Sequence, residues 1–450
     1  MDNQKQNVQM LEKVLDMAKS KGAKDSEVLF TQSSKFSLKA NEGSLEEYKV
    51  SSSQIMGIRL TKDQKVGISY CEDMQEESLS LMVEQALENS RYVKEDDLEE
   101  ICVSHKDRVI SDNEKIFRED NTPAEKKIEL CLELEKGVKS KDSSVKGAPY
   151  NGYNEGESHS YIANSLGTLC FEKNKSFSCY TSALLEKEGK QSMHYHGSVG
   201  RVFNDLDLNN CVNESFNHAH ALLNAGPVAT GKYDVIFTLD MLDDIFGVFS
   251  TMFSGKSSMD GVNPYREKIG KQVGVSGLSI KDCPQYEDGF NFSTFDDEGN
   301  LRKEFSLIEN GVLKSFYHNS ATAKFHNVEN NSSGSRSPKG TLGVGGTQQV
   351  ISLGESTETD LKKGKYLNIV SLQGLHSGAD ALSGDFSFGA SGYLCENGQV
   401  VDAVKGITVS GNFYQLLMEI SLIGKDMKSN SYNTFFSPEI RFSNLNVAGK

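Results

Sequence analysis

SLQGLHSGADALSGDFSFGASGYLCENGQVVDAVKGITVSGN, residues 371–412, is the stretch whose reading decides how the second half of this chain folds. It holds eight glycines in 42 residues, set among polar turn residues and short apolar alternations. Glycine adopts backbone angles closed to other residues and lets a second backbone come close. The segment therefore reads as compact β-structure with tight corners. Hairpin turns alone account for such glycines, since Gly and Asn are the usual hairpin residues. The functional alternative is a wall against which a peptide lies.

The same pattern extends upstream. VGVSGLSI (273–280), GFNFSTFDDEGNL (289–301), EFSLIENGVLKSFYH (304–318) and KYLNIVSLQG (365–374) read as strands joined by Gly/Asn turns. Asp296, Asp297 and Glu298 fall at a hairpin tip rather than forming an acid–base pair. Residues 327–340, rich in Ser, Asn and Gly, read as a loop. Helices are predicted over 240–253 and 411–423. In the first half, apolar residues at helical spacing predict helices over 4–21, 74–92, 122–139 and 207–223. Alternating segments between 27 and 71, and again between 160 and 200, predict strands. KEDDLEE (94–100) reads as a solvated acidic segment. Gly226-Pro227 and Gly231 punctuate the chain. They divide it into an α/β domain, residues 1–225, and a β-rich, Gly-rich domain, residues 226–450. The expected fold class is α+β.

Of 450 residues, 37% are apolar and 25% charged, enough for large cores. The formal charge of −15 argues against a protein whose main task is gripping a phosphate backbone, so direct nucleic-acid binding is not expected. No apolar run approaches the ~20 residues of a membrane-spanning helix. The N-terminus lacks the basic and apolar regions of a signal peptide. The eight cysteines form no CxxC pair, and their dispersion fits a reducing cytosol. A cytoplasmic protein is expected.

The nine histidines include no HExxH and no HExxxH. Those spacings place two imidazoles and a carboxylate on one helix face, as a catalytic zinc requires. His194 and His196 share one face of a strand, half a metal site without a visible third ligand. His218 and His220 sit near a helix end, where imidazole favours the dipole. No GxSxG elbow and no phosphate loop is present, and GTLGVGG (340–346) matches neither loop pattern. His376, Asp385 and Cys395 are close in sequence. They are the weak candidates for a nucleophile site, against an ordinary reading as a turn His, a capping Asp and a buried Cys.

GLHSGADALSGDFSFGASGYLCENGQ followed by GITVSGN resembles the signature of the TldD/PmbA family, whose members are called modulators of DNA gyrase. FSGKSSMDG, REKIGKQVGVSGLSIKDCP, TFDDEG, LIENGVLKSFYHNSATAKF and SYIANSLG extend the resemblance over nearly the whole chain. One departure is VVDAVKGITV, where family members often carry Pro-Val. The resemblance implies an α/β domain followed by a β-rich one, dimers enclosing a cavity, and proteolysis of unfolded or precursor peptides. One branch holds zinc through HExxxH on the helix after the first strand of the second domain; the TldE/PmbA branch lacks that motif and pairs with the first.

Here that helix reads LDMLDDIFGVFSTMFSG, and no His or Glu occurs between Ala221 and Arg266. Asp240, Asp243 and Asp244 cannot replace two imidazoles and a general base. The expectation is a TldE/PmbA-type subunit with no metal or other cofactor of its own, zinc being supplied by a TldD-like partner or the protein pairing with itself. Gly374, His376, Ser377, Gly378, Gly384, Asp385, Ser387 and Gly392 are the expected peptide-cavity wall. The rivals are an independent peptidase using Cys395 and His376, and a peptide-binding or regulatory protein without proteolysis.

Overall fold

The computed structural model describes residues 2–101, 108–111 and 113–450, so Cys102 and His105 lie outside the described residues. Eight strands build the first sheet: β1 Asp25–Asn41, β2 Ser44–Lys62, β3 Lys65–Cys71, β4 Arg108–Ser111, β5 Val145–Gly147, β6 Gly152–Asn164, β7 Leu169–Lys187 and β8 Lys190–Gly200. The order is β3-β2-β1-β6-β7, with β4, β5 and β8 also pairing β7. The long antiparallel ladders follow from alternation. Even-numbered residues of β1 (Val28, Phe30, Leu38, Ala40) face one way and are buried.

Four helices cover that face: α1 Asp2–Ser20, α2 Glu76–Ser90, α3 Ala124–Lys139 and α4 Leu208–Leu222. Leu11, Val14 and Ala18 of α1 and Leu79, Met82 and Val83 of α2 pack on Val28, Phe30, Met56 and Ile58. Leu130, Leu134 and Val138 of α3 and Cys211, Val212 and Ala219 of α4 pack on Leu38, Tyr153 and Phe177 at the other end. These i, i+3, i+4 stripes are what the periodicity predicted, and the helix boundaries agree to within a few residues.

From residue 231 the chain forms β9 Gly231–Phe237, β10 Ile280–Asp282, β11 Phe305–Glu309, β12 Val312–Leu313, β13 Gly334–Ser335, β14 Gly343–Val344, β15 Gln349–Ile351, β16 Lys365–Gln373, β17 Asp385–Glu396, β18 Gln399–Asn412, β19 Ile420–Ile423, β20 Lys428–Ser429, β21 Phe435–Ser437 and β22 Ile440–Ala448. One sheet runs β18-β17-β16-β9-β22-β19, and a further β18–β22 pairing closes five of its strands into a ring. A second sheet runs β12-β11-β10-β15-β21-β20. Helix α5, Leu239–Val248, follows β9. Its Leu242, Ile245 and Phe246 enter the shared core, where Phe413 stacks on Phe249 at 4.7 Å. The fold is α+β, as expected.

Three local readings differ. Residues 273–279 are not a strand. Val273, Gly274 and Val275 donate to Gly311 and Leu417 carbonyls, so turns rather than a ladder satisfy this backbone. Within 289–301 only a Phe295–Leu301 bridge forms, and the Asp296 carboxylate accepts the N–H groups of Glu298, Asn300 and Gly334. The predicted helix 411–423 ends after one turn, Phe413–Leu416, capped by Asn412; Ile420–Ile423 instead pairs with β22. Pairing of β-branched residues outweighs helical periodicity there.

The sheet face away from the helices receives the second half of the chain. Leu29, Ile162 and Cys170 pack on Phe295. Gly57 lies under Pro338: a Cβ at this position would stand 1.8 Å from its carbonyl oxygen. Glu27 and Arg59, opposite each other on β1 and β2, are fully buried. Glu27 Oε1 meets Arg336 Nη2 at 2.7 Å and Arg59 Nε at 3.5 Å. Arg59 also reaches Glu99 at 3.0 Å and Glu298 at 3.8 Å. The acidic segment 94–100 is thus not merely solvated, because Glu99 anchors this network.

Candidate functional site

Three short-range spacings converge where β8 faces α5. On α4, Asn210, Glu214 and His218 stand at i, i+4 and i+8, one face of a helix. On β8, His194 and His196 alternate onto the side facing α4. On α5, Asp240, Asp243 and Asp244 share another helix face. These residues line a cavity of about 940 Å³, together with Tyr150, Tyr180, Tyr195, Tyr432, Met193, Met241, Val370, Ser371 and Gln373. A smaller cavity of about 440 Å³ adjoins it along His196, Asp240 and Ser431. The seam between the two sheets, closed by charge around Glu27, is hollow here.

Most of these groups are held by a neighbour. The His194 and His218 rings are 4.7 Å apart. His218 Nδ1 hydrogen-bonds the Tyr393 hydroxyl at 2.7 Å, and its Nε2 lies 3.4 Å from Glu214. The Asn210 amide donates to His196 Nε2 at 3.1 Å. Burial, with His218 and His196 adding to it, pushes His194 down to about 4. His218 is also lowered, burial outweighing the pull of Glu214. Both imidazoles are therefore neutral at pH 7. Asp240 accepts from the Ser431 N–H and hydroxyl at 2.9 and 2.8 Å, and Asp243 accepts from Asn430 at 2.8 Å. Burial and the charge of Asp244 raise Asp243 to about 6. The Tyr195 and Tyr432 hydroxyls touch across the seam. β8 pairs with β7 on one side only, leaving its other edge without a partner strand among the described residues.

The anticipated site residues lie elsewhere or turn the chain. His376 and Ser377 are exposed in the loop between β16 and β17, and Cys395 is buried with Ile236, Tyr366 and Tyr393. Cys395 pairs with Tyr366 at one end of β16, whereas His376 follows Gln373 at the other. At ~3.3 Å per residue the two are roughly 20 Å apart, so they form no nucleophile–base pair. Burial also raises the Cys395 thiol, opposite to what a nucleophile needs. The Asp385 carboxylate accepts the side-chain amide of Asn412 at 2.8 Å; it orients Asn412, the residue that caps the short helix Phe413–Leu416, instead of capping backbone itself. Gly384 and Gly392 give room to internal neighbours: a Cβ would stand 2.4 Å from the Tyr414 ring and 2.0 Å from the Asn368 carbonyl oxygen, respectively. Gly374, Gly378 and Ser387 belong to the same β16–β17 corner, where the Gly378 carbonyl accepts the Ser387 N–H. None of these residues lines the larger cavity; Ser371 and Gln373 at the start of the quoted stretch do. His220, unlike His218, stacks on Phe216. Strand alternation put His194 and His196 on one face, but Asn210 and Glu214 carried no signal of their own, and only the tertiary fold brings β8, α4 and α5 together.

Among the described residues no three His, Cys, Asp or Glu side chains converge closely enough to hold a metal ion. The donor set at α5 does not fit a zinc centre.

Comparison with known proteins defines the class. Models of a metallopeptidase family match in chain order: PmbA/TldA metallopeptidase domain 1 over residues 26–90, the central domain over 117–223 and the C-terminal domain over 230–449. The chain belongs to this PmbA/TldD metallopeptidase family. It is 24% identical to the metalloprotease PmbA of Escherichia coli O157:H7, over 93% of this chain and 90% of that one. Its structure resembles that of a Thermotoga maritima protein described as a candidate modulator of a DNA gyrase. That match has TM-score 0.85 and 26% identity, covering 98% and 99% of the two chains. TldE from Thermococcus kodakarensis shares the fold, with TM-score 0.80, 21% identity and 98% and 100% coverage.

Proposed function

We propose that this chain is a TldE/PmbA-type subunit that binds an unfolded or precursor peptide in the β8–α5 cavity, while a zinc-bearing TldD-like partner carries out cleavage. The observation that carries this reading is α5. In the metal-bearing branch the helix after the first strand of the second domain supplies HExxxH; here it turns Asp240, Asp243 and Asp244 toward the cavity. Those carboxylates lack the imidazoles needed to hold zinc and polarise water. Binding is supported by the unpaired edge of β8, which offers backbone donors and acceptors to an extended chain. The wall moves from the glycine corner to β8 and α5. A dimer, with itself or with the zinc-bearing homologue, and a cytoplasmic location complete the reading.

The test is elemental analysis and peptidase assay of the purified chain, with and without a zinc-bearing family member. The chain alone should hold no stoichiometric zinc and leave an unfolded peptide intact, and adding the partner should give cleavage. Robust cleavage by the chain alone would sink the proposal. Peptide binding with no cleavage in any combination would favour the rival reading of a binding or regulatory protein.

A further inference from the structure

We infer that the β8–α5 cavity selects peptides carrying a basic side chain, with Asp243 and Asp244 facing the lysine ammonium or arginine guanidinium. The inference rests on the peptide-binding reading above and adds the chemistry of the occupant. Among the described residues four carboxylates line the cavity, Glu214, Asp240, Asp243 and Asp244, and no lysine or arginine does. None of the four forms an ion pair with a Lys or Arg among the described residues. Lys428, in the adjoining cavity, is already paired with Glu439 at 3.2 Å.

The three aspartates sit at i, i+3 and i+4, where like charges repel. Asp240 and Asp243 are anchored by Ser431 and Asn430, but among the described residues no hydrogen bond holds Asp244, which is exposed. His194 and His218 supply no compensating charge, since burial holds both neutral. Four tyrosines line the same cavity, and tyrosine rings can attract cations and pack against an aliphatic stem. A metal ion is the poorer occupant, because among the described residues no three donors converge on one point. A long side chain reaching in from a strand added at β8 needs no such convergence.

The experiment uses the full chain and fluorescent, N-acetylated twelve-residue Ser/Gly/Ala peptides bearing two Arg, two Gln or two Glu, with binding read by anisotropy at low salt. The Arg peptide should bind about tenfold more tightly than the Gln peptide, and the Glu peptide more weakly still. The preference should shrink in high salt and vanish in an Asp243→Asn/Asp244→Asn variant whose thermal unfolding matches the wild type. Equal binding of all three peptides would overturn the inference while leaving the peptide-binding reading intact. An Arg preference that persists in the double variant, or appears only without acetylation, would also overturn it. No binding by any peptide would overturn both readings. Should the variant fail to fold, the peptide series and its salt dependence on the wild-type chain decide alone.

Discussion

Two stretches of one seam join the sheet of β1–β8 to the strands that follow, and they treat charge in opposite ways. Around Glu27 the seam is buried and interlocked: Arg336 and Arg59 flank one carboxylate, and Arg59 reaches on to Glu99 and Glu298. Around Asp243 it is hollow, with carboxylates on the wall and, among the described residues, no guanidinium or ammonium against them. A buried carboxylate without a partner is costly, so its pairing marks structure. A cavity-facing carboxylate left without a counterion marks a place where a counterion arrives from outside. Acidity alone separates nothing; the neighbours do.

The contrast can be broken most forcefully at Arg336. Arg336→Ala leaves Glu27 buried without its nearest counter-charge and should cost about 3–5 kcal/mol in denaturant unfolding. A loss below 1 kcal/mol would mean that the interlocked stretch is not what it looks like.

A smaller effect is expected with pH. Burial, reinforced by the charge on Asp296, raises Glu298 to about 7, above the ordinary carboxylate value it has when unfolded. A raised carboxylate stabilises the fold fully below its unfolded value, and that contribution is lost as pH rises through the folded one. Glu298→Gln should therefore lose less stability than wild type between pH 5 and 8. Parallel pH–stability curves for the two proteins would refute the assignment.

The smallest effect has the opposite sign. Asp244→Asn relieves like-charge repulsion on α5 without breaking any hydrogen bond and should raise stability by about 0.5 kcal/mol at pH 8. A clear loss of stability would place Asp244 among the structural charges and erase the distinction.

Much of the architecture was legible from spacing. The four helices on the first sheet carry apolar stripes strong enough to mark them, and the β1–β2 and β6–β7 alternations mark long strands. Apart from the acidic segment 94–100, what failed was local to the second half. Ile420–Ile423 look helical because they continue a helical stripe, yet β22 captures them; a partner some 20 residues away leaves no signature in the segment itself. The site was less legible. Glycines drew attention to residues 374–392, but a glycine records only that something comes close. At Gly384 and Gly392 that something is Tyr414 and Asn368 of the same chain. His194, His218 and Asp243 each looked ordinary alone, and their meaning lies in a proximity spanning some 50 residues of sequence.

Closure of the five-strand ring dictates an order of events during synthesis. β9 is made about midway along the chain, but its partner β22 ends at residue 448, more than 200 residues later. The ring therefore cannot close until that last strand has emerged. Strands β1–β8 find their partners within residues 25–200, and such a unit is free to assemble while the rest is being made. Contacts of long sequence separation form slowly. The half-made barrel consequently spends the longest time with open strand edges, and it is there that a nascent chain is most exposed to aggregation and most in need of a chaperone.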